Sequence, residues 1–149
     1  MNREQLLKKV DATWNAFTAS YAGLSAPAMT RPGVAGDWSV KDVLGHVTTW
    51  EEEMMKAVQR RKKGGYVRHR GGVEGYNATE SGRKRSLPLQ QVLEDSDRTH
   101  RKVLRFLTTL TDEELAAERP FRRKVRGDTY GHYPEHTASI LAWRKANGL

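Results

Sequence analysis

Two of the five histidines in the sequence stand four residues apart, in the stretch Tyr130 Gly131 His132 Tyr133 Pro134 Glu135 His136. On a helix this spacing places both imidazoles on one face, with Cβ atoms about 5–6 Å apart, near enough to hold one metal ion. Two imidazoles make an incomplete site, so a third ligand must come from another element, and the candidate is His46. The chain has no cysteine, which excludes disulfides, thiolate metal sites and a cysteine nucleophile. A divalent metal here would be held by imidazole and oxygen donors, which favours Zn or Ni and also suits Fe, Mn or Cu.

Pro134 lacks an amide hydrogen and clashes with a preceding carbonyl, so it belongs near a helix start. His132 and His136 are therefore expected in the first two turns of the last helix. There the positive end of the helix dipole disfavours imidazolium and keeps both rings free to donate to a metal. Ile140 and Trp143 continue the same stripe, so the pair ends a core-facing surface. Glu135 adjoins His136 but projects about 100° away around the helix. It is expected behind the ligands or on the surface rather than as a general base, and Tyr133 has the same directional problem.

The other elements must bring His46 to this pair. Leu6, Leu7, Val10, Trp14, Phe17, Tyr21 and Leu24 recur at helical spacing, with Asn2 and Gln5 as a capping box, and predict a first helix over residues 3–24. Ser25 to Trp38 carries Pro27, Pro32, Gly33 and Gly36 and reads as ordered turns. Ser39 and Asp42 then open a second helix to about Lys62, on which His46, between Val43 and Trp50, faces the buried side. The Gly-rich basic connection over residues 60–86 matches no phosphate-binding loop, and Val73 to Ser81 forms a short helix within it that carries Tyr76 and Asn77. Leu89 to Leu110 reads as a third long helix, with His100 on its partly buried side as a reserve ligand. Thr111 to Glu114 caps one further turn, and Arg119 to Gly127 reads as a basic loop. Trp38, Trp50, Tyr76 and Asn77 are the expected lining of a substrate pocket.

These elements describe an all-α chain, an up-and-down four-helix bundle with long connections between helices 1 and 2 and helices 2 and 3. The 149 residues read as a single domain, residues 1–149, with enough length for one core. An N-terminus without an apolar segment, and no long apolar window, predict a cytoplasmic protein without membrane partners. The net charge of +8 would suit anionic partners. Its basic clusters lie in connections and helix ends without a nucleic-acid motif, so nucleic acid is a secondary expectation behind a small molecule. A homodimer is left open.

The segment from Gly36 to His46, taken with Tyr130 to His136, resembles the DinB/YfiT-like superfamily. Asn77 and the short Tyr130–His136 segment are most similar to its ClbS/DfsB branch. The resemblance spans nearly the whole chain and implies an up-and-down bundle in which His46, His132 and His136 bind a divalent metal in an open pocket. It also implies relatives that are thiol-dependent transferases and isomerases, and a colibactin-resistance protein whose cyclopropane hydrolysis is not carried over to this sequence. Three function classes follow. The first is a metal-dependent hydrolase or thiol transferase acting on a reactive or toxic small molecule. The second is a protein that sequesters such a molecule without turnover, and the third is a structural bundle with a vestigial histidine cluster.

Overall fold

The computed structural model describes residues 1–66, 68–116 and 119–149, and every regular element among them is helical. The elements are α1 (Arg3–Ser20), α2 (Ala26–Met29), α3 (Val40–Lys62), α4 (Gly72–Arg85), α5 (Leu89–Thr108), α6 (Pro120–Asp128) and α7 (Tyr133–Ala146). An isolated bridge pairs Ala35 with Trp38. None of the described helices is long and apolar enough to cross a membrane.

The helix starts follow from local chemistry. The Asn2 side chain accepts from the Gln5 amide while the Gln5 side chain accepts from the Asn2 amide, and Ser39 and Asp42 do the same for α3. Each such cap satisfies amides that the helix itself cannot pair. Before α3 the chain turns tightly at Gly36, whose φ of +58° suits glycine. Trp38 is locked there by its amide donating to Ala35 O at 3.0 Å and its carbonyl accepting from Val34 N at 2.9 Å.

Three segments differ from the sequence expectation. The segment expected only as turns contains a four-residue helix, α2, capped by the Ser25 hydroxyl. The short helix expected over 73–81 extends over fourteen residues as α4, with no fully buried side chain. It lies on α3, where Lys84 donates to Gly45 O at 3.2 Å and Asn77 accepts from Trp50. The basic loop expected over 119–127 is α6. Pro120 occupies its first turn, Val125 is fully buried and Phe121 packs against the core one turn earlier. Two apolar residues four apart set this face, too few to stand out from five intervening and flanking arginines and lysines.

Helices α1, α3, α5 and α7 share the core, where Leu6, Phe17, Leu44, Met54, Leu107 and Ile140 have no exposed surface. Helix α1 packs on α5 and α7, and α3 packs on α4, α5, α6 and α7. The link from α6 into α7 is short and closely packed. Gly131 N donates to Arg126 O at 2.9 Å, and His132 N and Tyr133 N both donate to Thr129 O. A Cβ at Gly131 would lie 2.8 Å from that same Arg126 carbonyl. Gly131→Ala is accordingly expected to force the backbone apart, costing about 1–3 kcal/mol in urea unfolding. A neutral result would mean that the link can relax.

Candidate metal centre

The sequence stripe of α3 and the turn into α7 bring the three predicted ligands together. His46 Nε2 lies 3.0 Å from His132 Nε2, and His136 Nε2 lies 2.9 Å from the same atom. Donor atoms of all three fall within 4.8 Å of one another. His132 sits immediately before the first residue of α7 with helical backbone angles, and His136 lies in the first turn. The pair is therefore held at helical spacing by the link from Thr129.

This arrangement is poorly served by hydrogen bonds alone. A neutral imidazole nitrogen offers one N–H or one lone pair, so three nitrogens facing each other form at most one well-directed bond. The remaining contacts set lone pair against lone pair or hydrogen against hydrogen. Protonation does not relieve this, because burial pushes His46 down to about 3 and His132 and His136 to about 4. His46 is lowered further by the neighbouring histidines and by Lys84. A cation among three converging lone pairs resolves the conflict. Two nitrogens bound to one ion at about 2.1 Å can be no more than about 4.2 Å apart, and the separations of His46 Nε2 and His136 Nε2 from His132 Nε2 lie inside that limit. The donor set thus fits a divalent ion such as Zn or Ni.

Binding through Nε2 would leave the proton on Nδ1, which metal-bound histidines usually donate to a carboxylate or carbonyl. His132 Nδ1 is buried with no partner among the described residues. Glu135 does not serve it. That residue is exposed and borders a shallow cleft with Arg123 and Arg126, and while its amide donates to His132 O at 3.2 Å, its carboxylate hydrogen-bonds none of the three histidines among the described residues.

The expected pocket residues divide into two groups. Trp38 stands beside the centre, its ring 4.8 Å from that of His46. Trp50, Tyr76 and Asn77 form a separate cluster one turn further along α3. Trp50 Nε1 donates to Asn77 Oδ1 at 2.7 Å, and the Tyr76 ring meets the Trp50 ring edge-on at 5.3 Å. The reserve ligand His100 is not one of the three converging histidines and belongs to a second polar group.

That group was not anticipated. Glu51 is fully buried and accepts the Tyr133 hydroxyl at 2.6 Å, with His100 Nδ1 3.2 Å from the same oxygen. His100 stacks on Trp14 with ring centroids 4.0 Å apart. Burial pushes the Glu51 carboxyl up, opposed by these two hydrogen bonds, and pushes the Tyr133 hydroxyl well above its ordinary value. A signal was available: Leu44, Val47, Glu51, Met54 and Val58 recur at alternating three- and four-residue steps. Glu51 therefore occupies a core position. Tyr133 follows His132 directly, so the network anchors the start of α7 beside two of the three histidines.

An all-helical chain with three converging imidazoles near the start of its last helix defines a class of candidate metalloproteins. The sequence profile of the DinB superfamily matches residues 2–140, and the chain belongs to that superfamily. Among solved structures, the sibling lethal factor precursor DfsB aligns with a TM-score of 0.86 at 16% identity, over 99% of this chain and 97% of its own. An uncharacterised protein from Escherichia coli UTI89 aligns at 0.84 and 14%, over 99% and 95%. The colibactin self-resistance protein ClbS, in complex with double-stranded DNA, aligns at 0.80 and 10%, over 93% of each chain. At these identities the likeness is one of fold. Comparison with curated proteins returns no match.

Proposed function

We propose that His46, His132 and His136 hold one divalent metal, Zn or Ni before Fe or Mn, in a cytoplasmic, single-domain, up-and-down four-helix bundle. The protein would act as a metal-dependent hydrolase or thiol-dependent transferase on a small reactive molecule. The observation that carries this reading is the convergence of three imidazole nitrogens that hydrogen bonding cannot satisfy. A bound divalent ion would supply Lewis acidity and open coordination positions. The chain's own residues do the rest: burial keeps the imidazoles neutral, and Trp38 shields one side of His46 from water. Tyr133, tied to Glu51, fixes the start of the helix that bears His136.

Elemental analysis of protein purified without a histidine tag or chelator tests the site, with about one divalent ion expected per chain. A metal content near zero that added Zn or Ni cannot raise would overturn it. Turnover of a reactive electrophile, lost in His46→Ala and on chelation, would distinguish enzyme from sequestering protein. Capture that survives both would favour sequestration.

A second reading has its own support. ClbS is a structural relative in complex with double-stranded DNA, and this chain carries a net charge of +8. Helix α6 presents Arg122, Arg123, Lys124 and Arg126 within nine residues. If DNA is the main partner, affinity should fall steeply with salt, with a log–log slope reporting the phosphates neutralised.

A further inference from the structure

A cavity of about 670 Å³ opens between the C-terminal half of α3, the connection after it, the start of α4 and α6. The three converging histidines do not line it. Trp50, on its wall, stands four residues beyond His46, about 6 Å of axial rise along α3. The lining sets four cationic side chains, Arg60, Arg61, Arg68 and Lys124, against one carboxylate, Glu53.

The charges within that lining are unevenly matched. Glu53 is already engaged, because its Oε1 contacts Arg60 at 2.5 Å and His69 Nε2 at 2.9 Å. Lys124 lies 2.9 Å from the buried Asp128 and 5.0 Å from the centre of the Trp50 ring. Arg61 and Arg68 meet no carboxylate at ion-pair distance among the described residues. The Arg61 guanidinium instead lies 5.4 Å from the centre of the Tyr66 ring.

The apolar surface is placed to complement those two arginines. Tyr66 and Val73, 67% and 62% exposed, are large apolar side chains left open to solvent, and both border this cavity. Exposed apolar side chains grouped at a concavity mark a ligand surface more strongly than scattered ones. Unmatched guanidinium groups select an oxyanion, and aromatic walls select a flat apolar body. A bare inorganic anion would leave Tyr66 and Val73 uncovered, and a neutral aromatic would leave the charge unmet.

We propose that this cavity is a binding site for a small aromatic oxyanion, its carboxylate or phosphate held by Arg61 and Arg68 and its ring covering Tyr66 and Val73. The site is independent of the metal reading, since no proposed metal ligand belongs to it. Calorimetric titration of the full chain with 2-naphthoate, against uncharged 2-naphthamide, tests it directly. One saturable site is expected for the carboxylate, with the amide at least about tenfold weaker. An Arg61→Gln/Arg68→Gln variant, checked for a wild-type circular dichroism spectrum and melting temperature, should lose at least about tenfold. Binding should be unchanged in His132→Ala. Equal affinity for acid and amide in the wild-type protein would overturn the proposal, as would absence of saturation up to about 10 mM. Loss of binding in His132→Ala would move the ligand to the histidine centre. Displacement of naphthoate by a short DNA duplex at lower concentration would assign the surface to nucleic acid, which also overturns it.

Discussion

Replacing His132 by alanine is expected to empty the metal centre, lowering affinity for Zn or Ni by more than about a hundredfold. Loss of an outer hydrogen-bonding partner alone typically costs 10–100-fold, and His132 is proposed as a direct ligand. Its Nε2 is also the atom that both other histidines approach, at 3.0 and 2.9 Å. Competition with a chromophoric chelator measures the loss. Unchanged affinity would exclude the three-histidine centre even if the protein contains metal.

The same substitution should alter the acid response of the metal-free chain. His46 is depressed to about 3, and His132 and His136 to about 4, chiefly by burial. An unfolded histidine titrates near 6.5. As pH falls, the unfolded chain takes up protons before the folded one does. The stabilisation from neutral buried imidazoles is therefore complete above about pH 6.5 and is lost progressively toward pH 3–4. The metal-free wild type should lose melting temperature steeply below about pH 6.5, and His132→Ala less steeply, because one such group is gone. Parallel pH curves for the two proteins would show that burial does not depress His132.

The histidine convergence was legible because each ligand lies on a strongly marked element. His46 sits within the apolar stripe of α3, and Pro134 fixes where the last helix begins. The spacing of His132 and His136 then follows from helix geometry, and the fold needs only to bring two helix faces together. Helix α6 was less legible because its face is set by Phe121 and Val125 alone, and those contacts are tertiary. The expected pocket residues were on suitable faces but not in one place. Trp38 is held beside His46 by the Gly36 turn, whereas Trp50 is drawn away from it by a hydrogen bond to Asn77 on α4. Sequence periodicity gives the face of a helix, but the partner that a side chain meets there depends on the packing of α4, which buries no side chain completely.

Glu51 shows the converse, a residue whose position was legible and whose chemistry was not. A carboxylate in a core register is costly unless partnered, and the partners come from α5 and α7, remote in sequence. Glu51→Ala would leave the Tyr133 hydroxyl and His100 Nδ1 without their shared acceptor and open a cavity beneath them. The expected loss is about 3–5 kcal/mol in urea unfolding at neutral pH. Glu51→Gln keeps the volume and one acceptor oxygen, so it should cost considerably less. The pH dependence separates these effects. Burial raises the folded carboxyl above its unfolded value, so its favourable contribution is largest below the unfolded pKa and declines as pH rises through the folded one. Glutamine does not ionise, and the stability gap between wild type and Glu51→Gln should therefore narrow as pH rises. A gap that widens with pH would mean that Glu51 is held as a carboxylate by His100 and Tyr133. The group anchoring α7 would then be built on an ionised carboxylate that accepts from Tyr133.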